Sequence, residues 1–504
     1  MDVFERYKPF RNKVSLLWRE DALKVIWAYC QYLQLPQFDF PPGIEVLNRF
    51  LRDPVPQRII SEWELELLAK EVLLNSSSHN TNGPTLRTWR TLATIINMLK
   101  ELENDIYGAY GSDRKILIEL IRMAHRQFIW QSNPPNHATT IRYFTIYNRP
   151  EIDEICLDRL NLTVSDIYLC GMAFMGIFIG HPAVNFPVKS DIRRLPVEKI
   201  NRFLTFTSKP ISDLKSILKS EQRYDDKFAY AYNSLRAYPL VQMDFDGRDA
   251  IVCPLPTLLY WRITGGLYYE LVQDPRFAVP YGDSFQRYVG KAMQRASSGS
   301  KLRILPEQQF GSKKAPKRTV DWIVADEGAA IFVECKARRL SIGAKTTSLD
   351  DLTALEKDID NMADALLQLY KSIAEYLGNE YPNFPFEEER LIYPSIVTLE
   401  NWWMFGAPMF DRLRISLSAK MQAAGLPSSY LDQMPYSIFV IDDLETAVQI
   451  IQGVGIVQVF DGKLRDPGKQ TWDWHGYMTD RFPTHFPVKP LFDDEYDDLF
   501  KDVA

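Results

Sequence analysis

Between Thr319 and Lys336 the chain reads Thr-Val-Asp-Trp-Ile-Val-Ala-Asp-Glu-Gly-Ala-Ala-Ile-Phe-Val-Glu-Cys-Lys, and no other stretch limits so sharply what its surroundings can fold into. Two runs rich in β-branched and aromatic residues, 320–325 and 329–335, flank Asp326-Glu327-Gly328, whose composition favours a tight turn. The pattern predicts a β-hairpin. With a two-residue turn at Glu327-Gly328, Asp326 pairs with Ala329 and the numbers of every cross-strand pair sum to 655, so Asp321 faces Glu334. Directly opposed residues hold their Cβ atoms roughly 4.5–5.5 Å apart, and residues two apart share a face, which puts Lys336 on the side of Glu334. A three-residue turn shifts this register by one.

An aspartate and a glutamate opposed across a ladder repel each other and call for a cation between them. Mg²⁺ or Mn²⁺ is the expected cofactor, because such an ion needs only one or two carboxylates and keeps water and phosphate oxygens as its other ligands. Lys336 is then placed to orient or deprotonate an attacking water, or to neutralise charge developing on a phosphate. Cys335 sits between two polar positions and is expected on the opposite face, as a small hydrophobe. The plainer alternative is a surface hairpin with an ordinary aspartate and a Glu-x-Lys charge pair.

Val320-Asp321, followed after a short turn by Glu334-Cys335-Lys336, resembles the motif of the PD-(D/E)XK, or restriction-endonuclease-like, nuclease superfamily. The resemblance implies an α/β core of one helix, three antiparallel strands, a second helix and a further strand. Here that core sits in a multidomain chain with a large, mainly helical N-terminal region. The flanks offer candidates for each element. Residues 284–296 place Phe285, Val289, Met293 and Ala296 on one helical face, and 302–305 read as the first strand. Leu352, Leu355, Ile359, Met362, Leu366, Leu369, Ile373 and Leu377 mark a long amphipathic helix stopped near Gly378, and 395–399 and 436–441 read as apolar strands. The resemblance covers roughly residues 282–445. It implies catalysis by Asp321, Glu334 and Lys336, with a metal held by Asp321, Glu334 and the Cys335 backbone carbonyl. Two positions depart from the family pattern. Val320 stands where a proline is usual, and Gln286 where many members carry a glutamate ligand on the first helix. Gln286 is kept as a further candidate ligand, and the number of metals stays open.

Charge distribution points to the same class of substrate. The chain carries a formal charge of −6, but residues 281–347 hold thirteen Lys and Arg against six Asp and Glu, so +7 there leaves −13 for the remainder. Positive charge concentrated around the hairpin suits a phosphate backbone. Lys313, Lys314, Lys317 and Arg318, in a basic loop that reads equally as a solvated face, and Arg338 and Arg339 after the hairpin are the candidate nucleic-acid contacts.

At 504 residues the chain suggests roughly two to four domains, and 46% hydrophobic and 25% charged residues describe a globular protein. Four regions are expected: a mainly helical 1–200, an α+β connecting region 201–280, the nuclease-like 281–445, and a C-terminal extension 446–504. In the first, 15–33, 57–75, 85–107 and 114–130 show helical spacing, 75–84 and 131–137 read as loops, and 142–147 reads as a strand. Ile167 to Gly180 is the most apolar run, and its fourteen residues are too few for a bilayer span, so a buried helix is expected. Residues 240–253 predict a second hairpin turning at Asp246-Gly247, and 255–272 a helix. Asp244-x-Asp246 lacks the rest of an EF-hand.

Five scattered cysteines without a C-x-x-C, and an N-terminus without the apolar core of a signal peptide, favour a reducing cytoplasm. The six histidines have no metal-ligand spacing, and neither G-x-S-x-G nor G-x-x-x-x-G-K-[ST] occurs. Asp493-Asp-Glu-Tyr-Asp-Asp498 reads as a solvated acidic tail, or as a segment able to occupy a basic groove. The expectation is a cytoplasmic, metal-dependent nuclease acting on DNA, in the manner of a bacterial anti-phage effector by analogy. Its N-terminal helices serve as scaffold or as a surface for a protein partner or self-association, with no membrane involved. The alternative is a catalytically impaired nuclease-fold protein that binds nucleic acid or assembles.

Overall fold

A computed structural model describes residues 2–35, 37–45, 59–110, 116–131, 136–346, 351–402, 406–487 and 489–500. The fold is mixed α/β, 56% helix and 12% strand. Packing divides the chain into two units, one of Met1–Phe277 with Thr346–Asp350 and Asp494–Ala504, the other of Ala278–Lys345 with Asp351–Asp493. The expected boundary at 445 lies inside the helix Ile441–Val454, and the chain beyond it continues the second unit as far as Asp493.

In the first unit, helices Val3–Val14, Arg19–Gln34, Glu62–Asn75 and Trp89–Tyr110 share one core around Tyr7, Leu23, Trp27, Leu68 and Leu99. The helix expected over 15–33 is Arg19–Gln34, starting four residues later, and a separate helix, Val3–Val14, precedes it. The chain breaks between them because Arg19 N–H donates to Ser77 O (2.8 Å) and Ser77 N–H to Leu17 O (3.0 Å), a bridge that ties the corner to the end of Glu62–Asn75. Residues 57, 58, 114, 115 and 132–135 of the expected helices and loop lie outside the described residues.

The strand expected at 142–147 is part of the helix His137–Tyr147. Asn136 caps it by accepting from Thr139 N–H (2.9 Å), and Tyr143, Ile146 and Tyr147 then fall on a buried face, which overrides the β propensity of those side chains. The apolar run is the buried helix Val164–Gly180, whose Phe178 carbonyl accepts from the Trp27 indole (2.7 Å). Among the described residues no single helix is long and apolar enough to cross a membrane.

Strands β1 (Ala183–Asn185), β2 (Ser208–Pro210), β3 (Leu240–Phe245) and β4 (Arg248–Val252) form a sheet in the order β1-β4-β3-β2. The β3–β4 turn has positive φ at Asp246 (52°) and Gly247 (73°), the mirror-image turn that matches strand twist. The helix expected over 255–272 is broken into Pro256–Ile263 and Leu267–Leu271. Gly266 folds its N–H back to Trp261 O (2.7 Å), and a Cβ there would meet the Trp261 ring at 2.8 Å. The acidic cluster is the helix Asp493–Phe500, and its Tyr496 stacks on His137 of the first unit with ring centroids 3.7 Å apart. Residues 501–504 lie outside the described residues.

The second unit is built on five strands, β5 (Arg303–Pro306), β8 (Trp322–Ala325), β9 (Ala329–Lys336), β10 (Leu391–Thr398) and β11 (Ser437–Val440), ordered β11-β10-β9-β8-β5. β5, β8 and β9 run antiparallel, whereas β10 is parallel to both β9 and β11. Parallel neighbours need a crossover, supplied between β9 and β10 by the helix Thr353–Leu377, which ends at Gly378 as its apolar spacing predicts. β9 is buried from Ala329 to Glu334 without alternation, because helices Ala278–Ala296, Thr353–Leu377 and Ile456–Leu464 all pack against it. The first helix begins six residues before the expected 284, at Ala278. The basic loop is a two-stranded ribbon, β6 (Gln309–Ser312) with β7 (Ala315–Arg318), separate from the five-stranded sheet.

Candidate functional site

The register of the central hairpin is the one its turn predicts, with Trp322 opposite Val333 and Ala325 opposite Ala330. Asp326 closes the turn: its N–H donates to Ala329 O (3.0 Å), and its Oδ1 accepts from Gly328 (3.0 Å) and Ala329 (2.8 Å) N–H. Asp326 Oδ2 also accepts from Ile456 N–H (2.9 Å), fixing the closed end to the start of the helix Ile456–Leu464.

At the open end the ladder stops one pair short of the expected Asp321–Glu334 pairing. Asp321 lies just outside β8, and instead of pairing through its backbone it turns its carboxylate onto β9, where Oδ2 accepts from Cys335 N–H (2.7 Å). Its own carbonyl accepts from Glu307 N–H (2.8 Å). Val320 N–H donates to the buried Tyr381 hydroxyl (3.2 Å). A proline at 320 has no N–H to give, which accounts physically for the valine.

Glu334 is buried, and its Oε1 accepts from Lys336 Nζ (2.8 Å). Lys336 Nζ reaches Gln368 Oε1 (3.3 Å) on the crossover helix as well. One lysine thus serves a carboxylate and an amide oxygen. Burial, and then the nearby Glu334, push the Asp321 carboxyl up to about 7, against the pull of Cys335 N–H and Lys336. The Cys335 thiol is not the free apolar side chain expected. It lies against the Asp321 carboxylate, and burial pushes it well above the usual thiol range.

Gln286 approaches this end of the hairpin by its backbone, accepting from the Trp322 indole N–H at its carbonyl (2.9 Å). Its side chain is half-buried and, among the described residues, bonds to neither Asp321 nor Glu334. The close approach depends on Gly290, where a Cβ would sit 2.0 Å from the Trp322 ring. The ring cannot swing away without losing its bond to Gln286. Gly290→Ala is therefore expected to destabilise the second unit by roughly 1–3 kcal/mol despite alanine's better helix propensity. Urea melts check this, and a Gly290→Ala protein as stable as wild type rules the packing argument out.

The candidate nucleic-acid contacts divide into two groups. Lys313, Lys314 and Arg318 are exposed on the β6–β7 ribbon, and Arg338 is half exposed, 4.0 Å from Asp358. Lys317 is drawn into ion pairs with Glu375 (3.1 Å) and Glu380 (2.7 Å). Arg339 does not belong to a basic surface: its side chain is 2% exposed and bonds to Glu400 (2.8 Å) and the Tyr281 hydroxyl (2.9 Å).

Nothing in the sequence marks Gln368 or Tyr381, since each is one polar group in an amphipathic or loop stretch with no telling spacing. As a metal site the open end offers hard oxygen donors in Asp321 and Glu334. In a β-strand the N–H and C=O of one residue point the same way, so the Cys335 carbonyl also faces the Asp321 side. This donor set, short of positive charge, fits a magnesium-type ion. Among the described residues no group of three or more His, Cys, Asp or Glu converges elsewhere or here. Compared with protein-family models, curated proteins and solved structures, the chain matches none.

Proposed function

We propose that the chain is a metal-dependent nuclease hydrolysing phosphodiester bonds of DNA, with Asp321, Glu334 and Lys336 as catalytic residues. The observation that carries this reading is the meeting of two carboxylates and one lysine at the open end of a single hairpin, with Asp321 held by Cys335 N–H and Glu334 by Lys336. The succession of helix Ala278–Ala296, antiparallel β5, β8 and β9, helix Thr353–Leu377 and β10 parallel to β9 supports it, being the order the nuclease resemblance implies. Mg²⁺ or Mn²⁺ held by Asp321, Glu334 and the Cys335 carbonyl would supply Lewis acidity toward a phosphate oxygen.

The chain's own groups do the rest. Lys336, steadied by Glu334 and Gln368, presents a charged donor where negative charge develops on the phosphate. Gln286 is the observation behind a second reading, a nuclease-fold subunit that binds nucleic acid without cutting, because its neutral amide adds no charge for a metal. The deciding experiment incubates the full-length protein with plasmid and single-stranded DNA. Cutting with Mg²⁺ or Mn²⁺ but not with Ca²⁺ or EDTA is expected; binding without cutting selects the second reading, and neither rejects both.

Binding is also expected to weaken steeply with salt, because neutralised phosphates release counterions. Reversing the exposed Lys313 and Lys314 to glutamate flattens the log–log slope by roughly one unit for each phosphate that is no longer neutralised. Lys317→Gln changes it less, since Glu375 and Glu380 already hold that ammonium. Equal slopes for wild type and the double reversal show the ribbon to be merely solvated.

A further inference from the structure

The basic ribbon is a continuation of the strands that carry the carboxylates. β5 runs on toward β6 and β7 toward β8, but the two ladders are one residue out of step, with Pro306 opposite Trp322 and Gln309 opposite Arg318. Residues 307 and 308 therefore lie opposite the longer 319–321. Glu307 N–H donates to Asp321 O (2.8 Å) and Thr319 N–H to Gln308 O (2.9 Å), which leaves Val320 as the extra residue. Val320 is thus a β-bulge, a feature that bends a strand and re-aims the side chain beside it, and the side chain beside it is Asp321.

Beyond the bulge the ribbon is anchored by one face. Phe310 and Lys317 are directly opposed; the Phe310 ring lies 5.7 Å from that of Tyr381, and Lys317 pairs with Glu375 (3.1 Å) and Glu380 (2.7 Å). The Tyr381 hydroxyl also takes the Val320 N–H, so one tyrosine braces both the ribbon and the bulge next to Asp321. Cross-strand pairs alternate between faces, and the other face carries Gln309 with Arg318 and Gly311 with Pro316, all exposed, as is the whole tip 312–315. Arg318 Nη1 lies 3.6 Å from Glu307, whereas among the described residues nothing bonds to the side chains of Gln309, Lys313 or Lys314.

The shape and chemistry of this free face select one kind of nucleic acid. Two strands about 5 Å apart, with their side chains, are too wide for the minor groove of B-DNA, about 6 Å, and match the major groove, about 12 Å. Arginine and glutamine are the side chains that grip guanine and adenine edges there by two hydrogen bonds, and glycine, alanine and proline keep the arm thin. Single strands are held by stacking on exposed rings, but the ribbon's one ring, Phe310, is turned onto Tyr381. Duplex RNA has a major groove too narrow to enter.

We propose that the β6–β7 ribbon is an arm that enters the major groove of double-stranded DNA, with Gln309 and Arg318 at base edges and Lys313 and Lys314 on flanking phosphates. Duplex DNA is then the substrate class of the adjoining carboxylate site. This rests on the nuclease reading, to which it adds the duplex and the groove.

The test is fluorescence anisotropy on the full-length protein with Ca²⁺ and oligonucleotides of one sequence: duplex DNA, its single strand, the RNA duplex, and duplex DNA with 5-octadiynyl-deoxyuridine in place of thymidine, which crowds only the major groove. The plain DNA duplex is expected to bind about tenfold more tightly than each of the others. Gln309→Ala/Arg318→Ala, which removes two exposed side chains, should lower the ratio of duplex to single-strand affinity about tenfold. Lys313→Ala/Lys314→Ala should weaken both affinities together, since phosphates are common to the two. Equal affinity for duplex DNA and any of the other three, an unchanged ratio in Gln309→Ala/Arg318→Ala, or no binding at all overturns the arm. Cleavage with Mg²⁺ is scored separately. A protein that cuts DNA without preferring the duplex loses the arm and keeps the nuclease, and one that prefers the duplex through Gln309 and Arg318 yet cuts nothing loses only the nuclease.

Discussion

Without divalent ions at pH 8, Asp321→Asn is expected to unfold at a higher temperature than wild type while losing all cleavage. The folded protein holds this carboxyl up to about 7, whereas in the unfolded chain it titrates near 4. A raised acid contributes its stability fully below the unfolded value, and that stability is lost as pH rises through the folded one. Wild type is therefore penalised across pH 4 to 7 by up to about 4 kcal/mol, counting about 1.4 kcal/mol for each unit. Asparagine keeps an oxygen for Cys335 N–H but carries no charge, so the penalty disappears. Added Mg²⁺ reverses the order, because only wild type gains from an ion that binds the folded state. Melts of both proteins at pH 5 and pH 8, with EDTA and with Mg²⁺, read this directly. A difference between the two proteins that does not change with pH refutes the strained carboxyl pair.

Lys336→Ala should cut the cleavage rate by about 10²–10³-fold, the cost of one donor aimed at developing charge. The loss belongs in kcat rather than KM, since removing a transition-state interaction leaves ground-state binding in place. The fold should survive: Lys336 ends β9, its side chain is 28% exposed, and Gln368 and Glu334 can take water in its place. Metal binding is expected to hold or tighten once the competing ammonium is gone. Equal kcat for wild type and Lys336→Ala removes the lysine from the chemistry, whereas a collapsed fold in Lys336→Ala shows that its role is structural.

How far the sequence discloses this site depends on how local each cause is. The hairpin register follows from a three-residue turn composition and two apolar runs, both within eighteen residues, and it stands as expected. The long helix Thr353–Leu377 is equally local, its apolar face repeating over seven turns. Other features are settled by distant partners. The ribbon at 309–318 has almost no apolar alternation, and Gly311, at a φ of 83°, is one of the few signs of its bend. Arg339 looks like any exposed arginine until Glu400 and Tyr281 enclose it. The 142–147 segment has strand-like residues, yet a cap at Asn136 and a buried face decide for helix. Asp321 turns its side chain, not its backbone, to β9, and only the geometry of the ladder's last rung could say so.

Asp326 leaves the hairpin with two unlike ends. At the closed end one carboxylate gathers the amides of Gly328, Ala329 and Ile456, so a strand turn and a helix start share a single latch. Opening either exposes both, and hydrogen exchange at Ile456 becomes a reporter on the turn more than a hundred residues earlier in the chain. The other end is held instead by scattered partners: Cys335 N–H on the Asp321 carboxylate, Glu307 N–H on the Asp321 carbonyl and Val320 N–H on the Tyr381 hydroxyl, while β9 stays paired with β10 as far as Lys336. Losing any one of these leaves the others in place, so the two ends should differ in how cooperatively their amides exchange.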